Sequence, residues 1–144
     1  MHNILLLEEV SIPENLHLLI LDNTKSYQER MISDLGEIGF KGKITVATSL
    51  AEAFEQFKKE APGFVLCDSK LVDGIGTDLL KAIRSKSQLN YLPFLMVSAD
   101  SDIDNILEAT NDGADGYLVR PWTKKDLIEQ IAFAYSKRKR PDPV

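Results

Sequence analysis

The sequence predicts one α/β domain, a parallel sheet covered by helices on both faces. Three observations predict it. Five short, nearly continuous apolar runs recur along the chain, as strands buried on both faces require. After each run comes a stretch of helical period. Several of those stretches open with a hydroxyl residue three positions before an acid, the spacing of a capping box. Strand and helix alternating in this way give a parallel sheet with right-handed crossovers.

In chain order, residues 1–16 carry an apolar patch, two glutamates and the Pro13 break. A docking extension, an interaction segment and the remnant of a linker are all compatible with that composition. The domain proper is expected over 17–136. Its first strand holds Leu18, Ile20 and Leu21, followed by a helix with the stripe Tyr27, Met31, Leu35 and Ile38. Ser26…Glu29 should start that helix and Gly39 should stop it. Ile44, Val46 and Ala47 form the second strand, and Ser49…Glu52 opens a helix with Leu50, Phe54 and Phe57 inward. Phe64-Val65-Leu66-Cys67 is the third strand, followed by Leu79, Leu80 and Ile83 at helical spacing. Phe94 to Val97 is the fourth, and Ser101…Asp104 opens a helix with Ile103, Ile106 and Leu107 inward, ended by Gly113. Tyr117 to Val119 is the fifth, and Thr123…Asp126 starts the last helix, which carries Leu127, Ile128 and Ile131. The chain closes with Lys137-Arg138-Lys139-Arg140 and then Pro141-Asp142-Pro143 over the tail 137–144. Cations suit a helix C-terminus and the prolines end it. A basic contact for an acidic partner, or the start of a linker, fits the same residues.

Composition narrows the function classes. The 144 residues carry a formal net charge of -5, which argues against direct DNA binding. One cysteine, Cys67, excludes an intramolecular disulfide and fits a reducing, cytoplasmic setting. It lies inside an apolar run, where a thiol acts as a small hydrophobe. No apolar run approaches the roughly 18 residues of a membrane span. No Gly-rich phosphate loop is present, nor a nucleophile beside a histidine base, which disfavours a small α/β enzyme or a flavin carrier.

Chemistry is concentrated where the strands end. The first run ends in Asp22-Asn23, the third in Asp68, the fourth in Ser98-Ala99 and the fifth in Arg120-Pro121. In a parallel sheet these ends share one edge, the edge where open α/β sheets bind ligands. Two carboxylates, a carboxamide, a hydroxyl and a guanidinium then converge. Oxygen donors of this kind suit Mg²⁺, and a carboxylate beside such an ion can attack phosphorus. Taken alone, Asp68 could equally be a helix cap or a solvated loop acid. His2 and His17 lie outside the group.

These stretches together resemble the receiver domain of two-component response regulators, over about residues 17–136. Leu18-Leu-Ile-Leu-Asp22-Asn23 resembles the family's first strand and acidic pair, and Gly63-Phe-Val-Leu-Cys-Asp68 its phosphoacceptor strand. Leu92-Pro-Phe-Leu-Met-Val-Ser98-Ala99 resembles the hydroxyl-bearing strand, and Gly113 to Trp122 the stretch with the switch aromatic and a Lys-Pro pair. The resemblance implies a flavodoxin-like (βα)5 fold of strand order 2-1-3-4-5. It makes Asp68 the phosphoacceptor, Ser98 and Arg120 its catalytic partners, and Ser98 with Tyr117 the switch. A Mg²⁺ site would use Asp22, Asn23, Asp68 and the main-chain carbonyl of Lys70, while the Lys70 and Asp100 side chains would tune hydrolysis from the mouth of the site. It also implies a cis bond before Pro121, aiming Arg120 inward.

Two departures stand out. Asn23 replaces the second acid and Arg120 replaces the lysine, so a dication should bind more weakly. Arginine is planar and forked, and either clamps a phosphoryl group or pairs with Asp68 at rest. The function implied is phosphorylation of Asp68 by a histidine kinase or histidine phosphotransfer protein. Output is then by protein contact through the face of the fourth helix, last strand and fifth helix, marked by Tyr117 and Ala109, with a homodimer among the assemblies it allows. Trp122 should pack on the last helix. The alternative is a pseudo-receiver that works without phosphorylation, supported by Asn23 and Arg120.

Overall fold

The computed structural model describes residues 3–6 and 10–138. The chain opens with an antiparallel hairpin, β1 (Asn3–Leu6) and β2 (Val10–Pro13). There follow β3 (Leu18–Leu21), α1 (Lys25–Ile38), β4 (Ile44–Ala47), α2 (Leu50–Lys59) and β5 (Phe64–Asp68). A two-residue ladder, β6 (Lys70–Leu71) with β7 (Gly74–Ile75), leads into α3 (Gly76–Arg84). β8 (Phe94–Ser98), α4 (Ile103–Asn111), β9 (Gly116–Val119) and α5 (Lys124–Lys137) complete it. The main sheet runs β4-β3-β5-β8-β9, all parallel, which is the expected order 2-1-3-4-5.

Strand alternation divides the core between the two faces. Leu18, Ile20, Phe64 and Leu66 join Met31 and Leu35 of α1 and Leu127 and Ile131 of α5. Leu19, Leu21, Val65 and Cys67 join Leu79, Leu80 and Ile83 of α3 on the other side. Register then aligns the strand ends. Leu21 lies abreast of Cys67, Asp68 abreast of Val97, and Ser98 abreast of Val119. Gly76 lets α3 begin directly beneath Asp68, since a Cβ there would stand 2.4 Å from the Asp68 carbonyl oxygen.

Helix starts follow the expected spacing at two of the four places. Ser49 accepts the Glu52 N–H at 3.1 Å and Thr123 accepts the Asp126 N–H at 3.0 Å. Ser26 is not a cap. Helix α1 begins earlier, behind Thr24, whose N–H is taken by the Asp22 carboxylate. At α4 the cap is Asp102 rather than Ser101, because its carboxylate reaches the Asp104 N–H at 2.8 Å and a charge is favoured at a helix N-terminus. Gly39 and Gly113 follow α1 and α4 with positive φ, as expected.

Two apolar stripes turn out differently. Phe54 is 39% exposed, and on α4 Ile103 and Leu107 are 69% and 54% exposed. Helix α4 lies against β9, the last strand of the sheet, and buries only Ala109. Too little sheet remains beneath it to cover its stripe.

The segment before the first sheet strand docks on the domain itself. Ile12 is wholly buried in the α1/α5 core, and the hairpin packs on α5. The Glu14 carbonyl accepts the Lys41 and Gly42 N–H groups at 2.7 and 3.1 Å, tying the hairpin's exit to the α1–β4 turn. At the same end of the sheet the Asp115 side chain, fully buried, receives Arg84 at 2.8 Å, Arg138 at 2.6 Å and the Phe94 N–H at 2.9 Å. Burial pushes the Arg84 guanidinium down to about 10, with Asp115 opposing. Arg138 of the basic run is thus an ion-pair partner of the core. The readings placed on 139–144 lie outside the described residues. Replacing Ile12 by Ala should cost about 2–5 kcal/mol in urea unfolding, the range for deleting a buried isoleucine. A loss below about 0.5 kcal/mol would mark the hairpin as accessory.

Candidate functional site

Asp22 follows β3, Asp68 ends β5, Ser98 ends β8 and Arg120 follows β9, so all four stand at one edge of the sheet, where the side chains of Asp22, Asp68 and Arg120 meet. Each is nearly buried: the exposures are 6% for Asp22, 7% for Asp68 and 2% for Ser98. Local backbone fixes the carboxylates. Asp22 Oδ1 accepts the Thr24 N–H at 2.8 Å, and Asp68 Oδ1 accepts the Lys70 N–H at 3.2 Å. The other oxygen of each faces Arg120. Its Nη2 donates to Asp22 Oδ2 and lies 3.3 Å from Asp68 Oδ2. One guanidinium therefore bridges both acids, the resting-state pairing of the two arrangements the sequence left open. The Arg120–Pro121 bond is cis, as expected.

Burial raises the Asp22 carboxyl above its ordinary value. The Thr24 N–H and Arg120 oppose that shift, and the Asp68 charge adds to it. Burial likewise pushes the Cys67 thiol well up, so this cysteine is an inert core residue.

Ser98 Oγ accepts from Ser69 Oγ at 2.7 Å and from the Asp100 N–H at 3.0 Å, which leaves its own proton for a further acceptor. The Tyr117 hydroxyl donates to the Asp100 carbonyl at 2.9 Å. Its ring lines a cleft of about 210 Å³ with Lys70, Met96, Asp100 and Ala109. Ala109 is 5% exposed, so it floors the cleft and offers no surface.

Lys70 and Asp100 both line the cleft, but the Asp100 carboxylate accepts the Asp102 N–H at 2.8 Å and Asn105 Nδ2 at 2.6 Å. Those two bonds, in that order, hold its carboxyl below the usual range, and the Lys70 charge is a smaller influence. One Asp100 oxygen is thus taken by backbone at the start of α4 and the other by the Asn105 side chain. Trp122 joins the α1/α5 core and donates Nε1–H to Asp34 of α1 at 2.9 Å, so it binds the first helix as well as packing near the last.

The oxygen donors expected for a metal are two carboxylates, the exposed Asn23 side chain and the Lys70 carbonyl. Their chemistry suits a hard dication. Among the described residues no group of three or more His, Cys, Asp or Glu side chains could hold a metal ion. The facing oxygens of Asp22 and Asp68 are closed by Arg120, so an ion fits between them only if the guanidinium yields.

Sequence reasoning missed Tyr27, Ser69 and Asn105. Tyr27 was legible only as part of the core stripe of α1, yet its ring lies 4.2 Å from the Arg120 guanidinium. Nothing in the spacing marks Ser69 or Asn105.

Residues 18–132 match the family model of the response regulator receiver domain. The chain is 32% identical over 123 residues to the chemotaxis protein CheY-3 of Vibrio cholerae, covering 85% of this chain and 94% of that protein. The receiver domain of the Francisella response regulator 1452 is 25% identical, with a TM-score of 0.73, over 85% of this chain and 98% of that one. The Mn²⁺-bound form of the response regulator Rcp1 shares the fold at 15% identity and a TM-score of 0.69, over 81% and 89%. The chain belongs to the response regulator receiver domain family. It is a phosphoacceptor receiver of a two-component system, and its partners as such are histidine kinases or phosphotransfer proteins.

The raised carboxyl of Asp22 has a stability consequence. An acid whose folded value lies above its unfolded one is costly when ionised, and that cost vanishes as pH falls through the folded value. Asp22→Asn should therefore unfold at higher urea than wild type at pH 7. The advantage should shrink as the pH is lowered towards about 4, the ordinary carboxylate value.

Proposed function

We propose that Asp68 is the phosphoacceptor of this receiver. The carrying observation is the ion pair of Arg120 with its carboxylate at the end of the central strand, beside the neighbouring strand β8 that ends in Ser98. An Asp68 oxygen attacks the phosphorus of a partner's phosphohistidine. The new O–P bond forms as the P–N bond breaks, and the electron pair returns to the imidazole, which takes up a proton. Arg120 turns its fork to the phosphoryl oxygens, and Ser98 donates its free proton to one of them. Asp22, Asn23, Asp68 and the Lys70 carbonyl are the residues that would hold Mg²⁺, which neutralises phosphoryl charge when bound. The group is a stoichiometric switch that carries out its own transfer and its own hydrolysis. Lys70 and Asp100 at the mouth govern access of water.

Phosphorylation brings about two negative charges, and recruiting Ser98 disturbs its bonds to Ser69 and to the Asp100 N–H. Tyr117, bonded to the Asp100 carbonyl, then follows. The surface it alters carries Ile103 and Leu107 on α4 and Phe133 on α5, the last 55% exposed. That face serves an output protein or a second copy of the chain, in a cytoplasmic setting. Among the described residues no helix is long and apolar enough to cross a membrane.

Intact mass after treatment with a small phosphodonor tests the acceptor. Wild type should gain one phosphoryl group and Asp68→Asn none. Asn23→Asp should tighten Mg²⁺ on the order of tenfold and speed the reaction, because an anionic donor is restored. Arg120→Lys should alter output more than chemistry. If no donor or cognate kinase modifies wild type, and Asp68→Asn still signals, the protein is a pseudo-receiver.

The output surface is tested separately. Leu107→Arg should weaken partner binding or phosphorylation-dependent dimerisation by about 30-fold, the scale of a 2 kcal/mol interface residue. Phosphorylation of Asp68 should stay intact. Normal binding by that variant, with loss in variants of the exposed α1 surface, would move the output face.

A further inference from the structure

The Arg120 guanidinium is held from two directions. Nη2 spans the facing oxygens of Asp22 and Asp68, and the plane lies over the Tyr27 ring at 4.2 Å. Its Nε is buried without a hydrogen-bond partner, so the ring face is what supports that part of the group. A guanidinium stacks on an aromatic face in a way that a compact ammonium does not need.

The ring is itself anchored. Tyr27, Arg30, Asp34 and Glu37 follow one another at helical spacing along α1. Arg30 donates to the Trp122 carbonyl and lies 5.0 Å over its ring, Asp34 accepts the Trp122 Nε1–H, and Glu37 pairs with Lys124. The Tyr27 and Trp122 rings meet at 6.4 Å. This face of α1 thus clasps the segment that carries Arg120 into α5, and Tyr27 stands at the end of the clasp nearest the acids.

We infer that Tyr27 is a positioning residue for Arg120: its ring holds the guanidinium across Asp22 and Asp68 as the site's resident cation, in competition with a divalent ion. The competition is electrostatic and steric. Two buried carboxylates need one compensating charge, and two cations on the same pair of oxygens repel. Removing the ring frees Arg120 to swing away and opens the oxygens. The inference rests on Asp68 being the acceptor site, and its test reads separately from that one.

The experiment uses the full chain with Mg²⁺ alone as the probe, by calorimetry, together with the Arg120 Nε–H resonance. In wild type that resonance should be ring-shifted. Tyr27→Phe should keep the shift and hold the Mg²⁺ affinity within about twofold, because the face remains. Tyr27→Leu should abolish the shift and tighten Mg²⁺ roughly three- to tenfold, the scale of a partly desolvated cation–π contact. In an Arg120→Lys background the same Leu substitution should change affinity less than about twofold. Tyr27→Met serves if the Leu variant does not fold. The inference is overturned if the ring-less variant keeps both resonance and affinity, if no protein binds Mg²⁺, or if the Leu effect is undiminished beside Arg120→Lys. Phosphorylation of wild type by a small donor is scored independently. Its absence sinks the acceptor assignment while the resonance and the metal titration still decide the role of Tyr27.

Discussion

The structure depends on one electrostatic constraint. A parallel sheet brings the ends of β3 and β5 together, and both end in an acid that the core leaves almost buried. Two carboxylates in such a setting cannot both stay ionised without a cation between them. Arg120 supplies it from the far side of the sheet, two strands beyond β5, across the end of β8. Its backbone N–H donates to the Ser98 carbonyl at 2.8 Å, so the cation and the hydroxyl are placed by a single ladder. The site is a consequence of strand register, and the loops only complete it.

Much of this was legible in the sequence because it depends on alternation. Buried parallel strands give apolar runs, and an apolar run that stops at an acid shows where that acid will sit. Asp22, Asp68, Ser98 and Arg120 were found in that way, and the strand order came with the resemblance. What alternation does not encode was missed. Whether an apolar helical stripe is covered depends on how much sheet lies beneath it, so Ile103 and Leu107 read as core and are surface. A cap is settled by where the helix starts and which acceptor reaches the N–H, so Asp102 displaced Ser101, and Ser26 lies inside a helix that begins behind Thr24. Tyr27 sits in the core stripe of α1 and over the guanidinium at once, and spacing reports only the first.

The same misreading of α4 bears on function. An apolar stripe that the fold leaves uncovered on α4 is the kind of surface the proposed output contact would use. Ala109, buried on α4, lines the cleft together with half-buried Tyr117 and with Asp100. A rearrangement at the hydroxyl therefore has a short path to an apolar surface. It passes through Asp100, which bonds to both Ser98 and Tyr117 through its backbone.

The departures from the family pattern fit together when charge is followed through the cycle. At rest the two acids carry a formal charge of about −2, and Arg120 brings the site to about −1. On the proposed phosphorylation of Asp68 its own charge is lost and about two are gained, so the site moves to about −2. An Arg120 that turns to the phosphoryl oxygens gives up part of its compensation of Asp22. The cation that suffices for the unmodified site is thus insufficient for the modified one, and the need for a further positive charge arises as the phosphoryl group arrives. Asn23 in place of an acid lowers the demand at rest, and the stacked guanidinium meets it. Together they make a site largely compensated from within at rest, where on the proposed phosphorylation a divalent ion would meet the added charge.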